Sequence, residues 1–127
     1  MIRATSTTFV ALALAACFTI ARAEESLVGK YSGTMPVPSI RGGVSVAADL
    51  RIVSLDRDRV QATMQRYTKD YCNVRYGMAG RFEDNVLTLK ANEGEGVPGC
   101  AIDLTMTRDG NTLSGTTAEG AAFKLSK

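Results

Sequence analysis

The chain has 127 residues, with 15 Lys and Arg against 13 Asp and Glu, no His and no Trp. The lack of His removes the commonest general base and the commonest metal ligand, and with them Ser-His-Asp and Cys-His catalysis. A formal net charge of +2 gives little pull towards nucleic acid or an anionic membrane.

Residues 1–23 read as an export signal. A polar start carries one cation, Arg3, and the apolar run FVALALAACFTI follows over Phe9 to Ile20. Ala21-Arg22-Ala23 then forms an A-x-A exit, which predicts signal cleavage after Ala23. The run is 12 residues long, whereas a bilayer span takes about 20. A rival route exists: Leu14-Ala15-Ala16-Cys17 resembles the lipobox of bacterial lipoproteins and makes Cys17 the alternative lipidation site. Phe18-Thr19-Ile20 is a poor polar tether after such a cysteine, so simple cleavage is preferred. The expected address is periplasmic or secreted, with an outer-membrane lipoprotein as the alternative and no transmembrane segment after processing.

Cleavage leaves residues 24–127, one domain of 104 residues. Arg3 and Arg22 depart with the signal, so 13 cations face 13 carboxylates and the mature net charge falls to zero. A nucleic-acid partner is therefore not expected. The cysteine count drops to two, Cys72 and Cys100, which predicts one disulfide in an oxidising compartment. On the chain-entropy model its loop of about 29 residues stabilises by roughly 3–4 kcal/mol.

No window of the mature chain carries a helical apolar period over three turns, while alternation of period two recurs. The first strand is expected over Leu27 to Thr34, ended by Met35-Pro36-Val37-Pro38-Ser39. Within it, Gly29-Lys30-Tyr31 resembles the G-x-W opening of lipocalins with Tyr for Trp; this implies barrel architecture and nothing about activity. Gly43 to Val53 is the clearest strand, with Val44, Val46, Ala48, Leu50 and Ile52 on one face. Asp56-Arg57-Asp58 turns into a third over Arg59 to Thr68. A fourth runs from Cys72 to Phe82, a fifth from Val86 to Ala91, and a sixth from Cys100 to Arg108. Asp109-Gly110-Asn111 is a hairpin signal, and Thr112 to Thr117 and Ala122 to Leu125 complete the set.

Eight short strands, each with one apolar face, predict a small all-β antiparallel domain. Closure removes aggregation-prone edges, so an up-and-down β-barrel is preferred, with a β-sandwich as the alternative. In that barrel Cys72 and Cys100 begin strands on either side of the fifth, about 10 Å apart. They can bond only where chain ends bend together at a rim, since a disulfide needs Cα atoms within about 7 Å.

Little here carries catalytic chemistry. Asp49 and Asp103 fall on outward faces and Asp56 and Asp58 in a turn, so a glycosidase pair is not expected. Asn92-Glu93-Gly94-Glu95 has too few ligands for a calcium loop, and no Gly-Lys-Ser/Thr follows the nearby glycines. No enzyme, metal or cofactor is expected. The uneven feature is a cluster of Arg66, Tyr67, Tyr71, Arg75 and Tyr76, residue types that dominate binding hot spots. These five form the candidate binding patch, expected at a rim. The first functional expectation is a non-catalytic exported module that holds a small apolar or amphipathic ligand among Val44, Val46, Leu50, Ile52, Met64, Met78, Leu104 and Met106. The alternative is an envelope protein-interaction module or inhibitor that acts through a loop rim.

Overall fold

A computed structural model describes residues 27–37, 44–117 and 120–127. The export-signal reading, with Ala23 and Cys17, lies outside these residues, as does Pro38-Ser39. Eight strands follow in order: β1 (Gly29–Val37), β2 (Val44–Asp56), β3 (Arg59–Arg66), β4 (Tyr76–Glu83), β5 (Val86–Ala91), β6 (Leu104–Asp109), β7 (Thr112–Thr116) and β8 (Ala122–Ser126). Each pairs antiparallel with the next, and β1 closes the ring on β8 through Ser32, Gly33 and Thr34. The preferred up-and-down barrel is the observed architecture.

Alternation explains the core. Tyr31 and Met35 on β1, Ala48, Leu50 and Ile52 on β2, and Val60, Ala62 and Met64 on β3 all point inward and are buried. Met78, Leu87, Leu89, Leu104, Met106, Leu113, Phe123 and Leu125 complete the interior. Each large apolar side chain removed from water in this way contributes about 1.5–3 kcal/mol. Curvature comes from places where strands approach closely. At Gly80 an added Cβ would collide with the Thr88 carbonyl of β5, so only glycine admits the bend. On β2 the register shifts between Ile52 and Ser54, which leaves Val53 as an outward bulge.

The two ends of the barrel differ. At one, three hairpins turn through two residues each: Arg57-Asp58, Asp84-Asn85 and Gly110-Asn111. Asp84 and Asn85 both take positive φ (51° and 67°), the backbone of a turn that matches sheet twist. The turn carbonyls link each hairpin to the next: Phe82 N–H donates to Asp58 O (2.8 Å), Arg108 N–H to Asn85 O (3.1 Å) and Lys127 N–H to Asn111 O (2.9 Å). The described chain also enters and leaves at this end. The Tyr31 hydroxyl donates to the Leu27 carbonyl at 2.7 Å, and the Lys127 ammonium lies 5.4 Å from the Tyr31 ring centroid. At the other end β3 connects to β4 through Tyr67–Arg75, and β5 to β6 through Asn92–Asp103.

Several expected boundaries move. β1 continues through Met35, Pro36 and Val37, because beyond Thr34 it has left β8 and a free edge tolerates proline. β4 begins at Tyr76 rather than Cys72, and β6 at Leu104 rather than Cys100. Val44, expected inside, is 52% exposed. Strand pairing of β2 with β3 starts only at Ala48, so Val44 to Val46 ride on β1 alone, past the barrel wall.

Candidate binding surface at the loop end

Cys72 and Cys100 each precede their strand by four residues, in loop rather than ladder. Free of strand spacing, the two loops bend across the end of β5. The cysteine Cα atoms come within 5.2 Å, and the sulfurs are bonded. The bond joins the β3–β4 loop to the β5–β6 loop.

The β3–β4 loop is built around Asp70. Its Oδ1 accepts from the Thr68 hydroxyl (2.7 Å) and from the Cys72 N–H (2.8 Å), an Asx-type turn. Those bonds, Thr68 first, hold the Asp70 carboxyl below its ordinary pKa. Asn73 Nδ2 donates to the Thr68 carbonyl at 3.0 Å, and Gln65 Nε2 donates to Asn73 Oδ1 at 2.9 Å. Tyr71 lies at the centre of this braced tip and is 74% exposed.

The five residues of the predicted patch divide by side. Tyr67, Tyr71 and Arg75 face solvent, while Arg66 and Tyr76 are buried. Arg66 is the last inward residue of β3, in phase with Val60, Ala62 and Met64, and only 4% exposed. Its Nη2 donates to the Cys100 carbonyl, and its Nε has no partner among the described residues. The Tyr76 hydroxyl accepts from the Ile102 N–H at 3.4 Å. Burial pushes the Tyr76 pKa up, with the nearby Arg66 charge acting against it. Arg66 and Tyr76 therefore anchor the β5–β6 loop from beneath and are not part of the outer patch. Gly96 of that loop packs on the Tyr76 ring, and Asn92 and Glu95 close over Gly77.

Tyr67 belongs to a network that sequence reasoning missed. Its hydroxyl donates to Asp49 Oδ2 at 2.7 Å, the Ser32 hydroxyl donates to Asp49 Oδ1 at 2.8 Å, and Lys30 Nζ lies 3.7 Å from the same carboxylate. The Tyr67 and Ser32 bonds lower the Asp49 pKa, and Asp49 in turn raises that of Tyr67. Arg75 Nη1 donates to the Thr63 hydroxyl of β3 at 3.2 Å. Asp49 and Tyr67 stand 18 residues apart and meet only because Tyr67 N–H continues the ladder to the Ala47 carbonyl.

The interior residues named for a ligand are, Val44 and Val46 apart, at or below 1% exposure. A void able to hold even one water would give its lining side chains accessible surface, so no ligand-sized space lies against them. A shallow groove of about 530 Å³ lies instead on the outer face of β4 and β5, lined by Ala79, Arg81, Thr88 and Lys90 among others. Asp103 is exposed in the β5–β6 loop, far in role from Asp49, whose oxygens are engaged. Among the described residues, no three His, Cys, Asp or Glu side chains converge on a metal-sized point. The chain matches no protein-family model, no curated protein and no solved structure.

Proposed function

We propose that this protein is an exported, non-catalytic binding module that meets an envelope protein through its loop end. The observation that carries the reading is Tyr71, a large aromatic 74% exposed on a tip braced by a disulfide and by Asp70. An aromatic held in place before binding loses little entropy when a partner covers it. The filled interior favours this reading over a ligand held inside the barrel, which would have to displace well-packed side chains. Export follows from the signal over residues 1–23, with cleavage after Ala23 and lipidation at Cys17 as the two routes; intact mass of the native protein distinguishes them.

The test is capture of partners from the native envelope with the wild-type protein and with Tyr71→Ala/Arg75→Ala. The expected result is a partner retained by the wild type and lost by the variant. Equal retention by both would refute the loop-end reading.

A further inference from the structure

We infer that the outer wall of β1, β2 and β3 is a docking face for an acidic polysaccharide. The outward rows follow from the register. Lys30 lies opposite Arg51, and Arg51 lies opposite Thr63. The adjoining row is Ser32, Asp49 and Gln65. Arg75 reaches this wall from the loop and hydrogen-bonds to Thr63. Three exposed cations thus lie along this row, Arg51 and Arg75 beside Thr63 and Lys30 one strand further, on β1.

Two points give this arrangement meaning. Like charges directly opposite in a ladder are destabilising, so the Lys30–Arg51 pair works against the fold that carries it. The one carboxylate in these rows, Asp49, already accepts from Tyr67 and Ser32 and faces Lys30. It neutralises one of the three cations. The wall is left positive on a mature chain whose 13 cations and 13 carboxylates otherwise balance. Local excess on a neutral molecule favours a partner of opposite sign at that face.

The surroundings select the kind of polyanion. Hydroxyl and amide groups of Ser32, Thr63 and Gln65 alternate with the cations, and Tyr67 presents an amphipathic ring, 42% exposed, at the edge. A chain of uronate or sulfated sugars offers acidic groups, hydroxyls and apolar ring faces together, at spacings that strand rows about 4.8 Å apart can follow. A bilayer would need a cluster of apolar side chains to insert; these two rows have none, and the exposed valines of this wall, Val44 and Val53, stand nine residues apart on β2.

The face shares Tyr67 and Arg75 with the candidate patch and rests on the loop-end reading only there, since Lys30 and Arg51 stand outside it. The test uses alginate (carboxylates alone) and heparin (sulfates and carboxylates) as probes, with affinity measured against rising salt. Wild-type binding should weaken with salt. Arg51→Gln and Lys30→Gln should each lose about fivefold, the usual effect of one cation near an anionic surface. Lys90→Gln, on the far wall, should bind as wild type. Both test variants should stay folded: each relieves the like-charge pair, and Lys30→Gln gives up in exchange only its exposed ion pair with Asp49. Absence of binding, equal loss in Lys90→Gln, or equal affinity for duplex DNA or anionic vesicles would each overturn the inference. Tyr71→Ala should keep alginate binding while losing the protein partner, so failure of either reading shows separately.

Discussion

The two ends of the barrel solve the same problem, joining antiparallel strands, by different means. The tight end uses two residues per hairpin, left-handed backbone at Asp84, Asn85 and Gly110, and turn carbonyls that receive the next hairpin. The loop end spends 9 residues between β3 and β4 and 12 between β5 and β6. There the order comes from Asp70, a disulfide and two buried side chains, Arg66 and Tyr76, that hold the second loop from below. Ladder geometry dictates one end almost completely. The other is specified by side chains, which leaves Tyr71 free to serve something besides closure.

That contrast can be broken at the disulfide first. Cys72→Ser/Cys100→Ser should lose about 3–4 kcal/mol of stability in urea unfolding. Hydrogen exchange should accelerate over 67–75 and 92–103 and stay slow at the three tight hairpins. Uniform acceleration at both ends would show that they are not separately specified.

At the tight end the corresponding break is Asn85→Ala. It removes the 2.5 Å bond from Asn85 Nδ2 to the Arg108 carbonyl and places a β-carbon-only residue at φ 67°. The expected cost is about 1–2 kcal/mol by thermal unfolding, with the loop end unchanged in hydrogen exchange.

A smaller change of opposite sign is expected at Arg57, a non-glycine residue at φ 59°. Arg57→Asn should gain about 0.5 kcal/mol, since Asn visits that region more readily. A loss instead would mean that the arginine side chain contributes contacts outweighing its backbone.

Acid should sharpen the comparison further. Hydrogen bonds from Tyr67 and Ser32 depress the Asp49 pKa in the folded state. That contribution is fully present above the unfolded carboxylate value and fades as pH falls through the folded one. In Tyr67→Phe the Asp49 carboxyl should titrate at higher pH by NMR. The stability gap between wild type and variant should close as the solution is acidified. Parallel curves down to the lowest pH would show that the bond is equally strong to the protonated acid. The smallest expected effect is Tyr71→Ala, within about 0.5 kcal/mol of wild type, which separates the proposed contact residue from the fold.

Much of the barrel was legible because alternation repeats eight times, and tight hairpins announce themselves through Asp-Asn and Gly-Asn pairs. Errors arose where alternation outlasts the ladder. Cys72 to Arg75 and Cys100 to Asp103 alternate like strand yet have no partner in the sheet, and Val44 alternates on a hairpin that overshoots the wall. Residue chemistry groups Arg66, Tyr67, Tyr71, Arg75 and Tyr76, but strand phase separates them. Counting from Met64 by twos would have placed Arg66 inside. The Asp49–Tyr67 bond had no local signal at all, since it depends on the β2–β3 register. Gln65 pairing with Asp49 is what brings Tyr67 beside it.

The placement of the chain's entry has one more consequence. Leu27 meets Tyr31 at the tight-turn end, and Lys127 stands beside them. Whatever holds this domain by residues before Leu27 therefore holds it by that end. Strands of about eight residues tilted in a barrel rise some 20 Å. Were the chain fastened to a surface before Leu27, as lipidation at Cys17 would do, Tyr71 and its neighbours would stand that far from it, on the opposite end of the barrel.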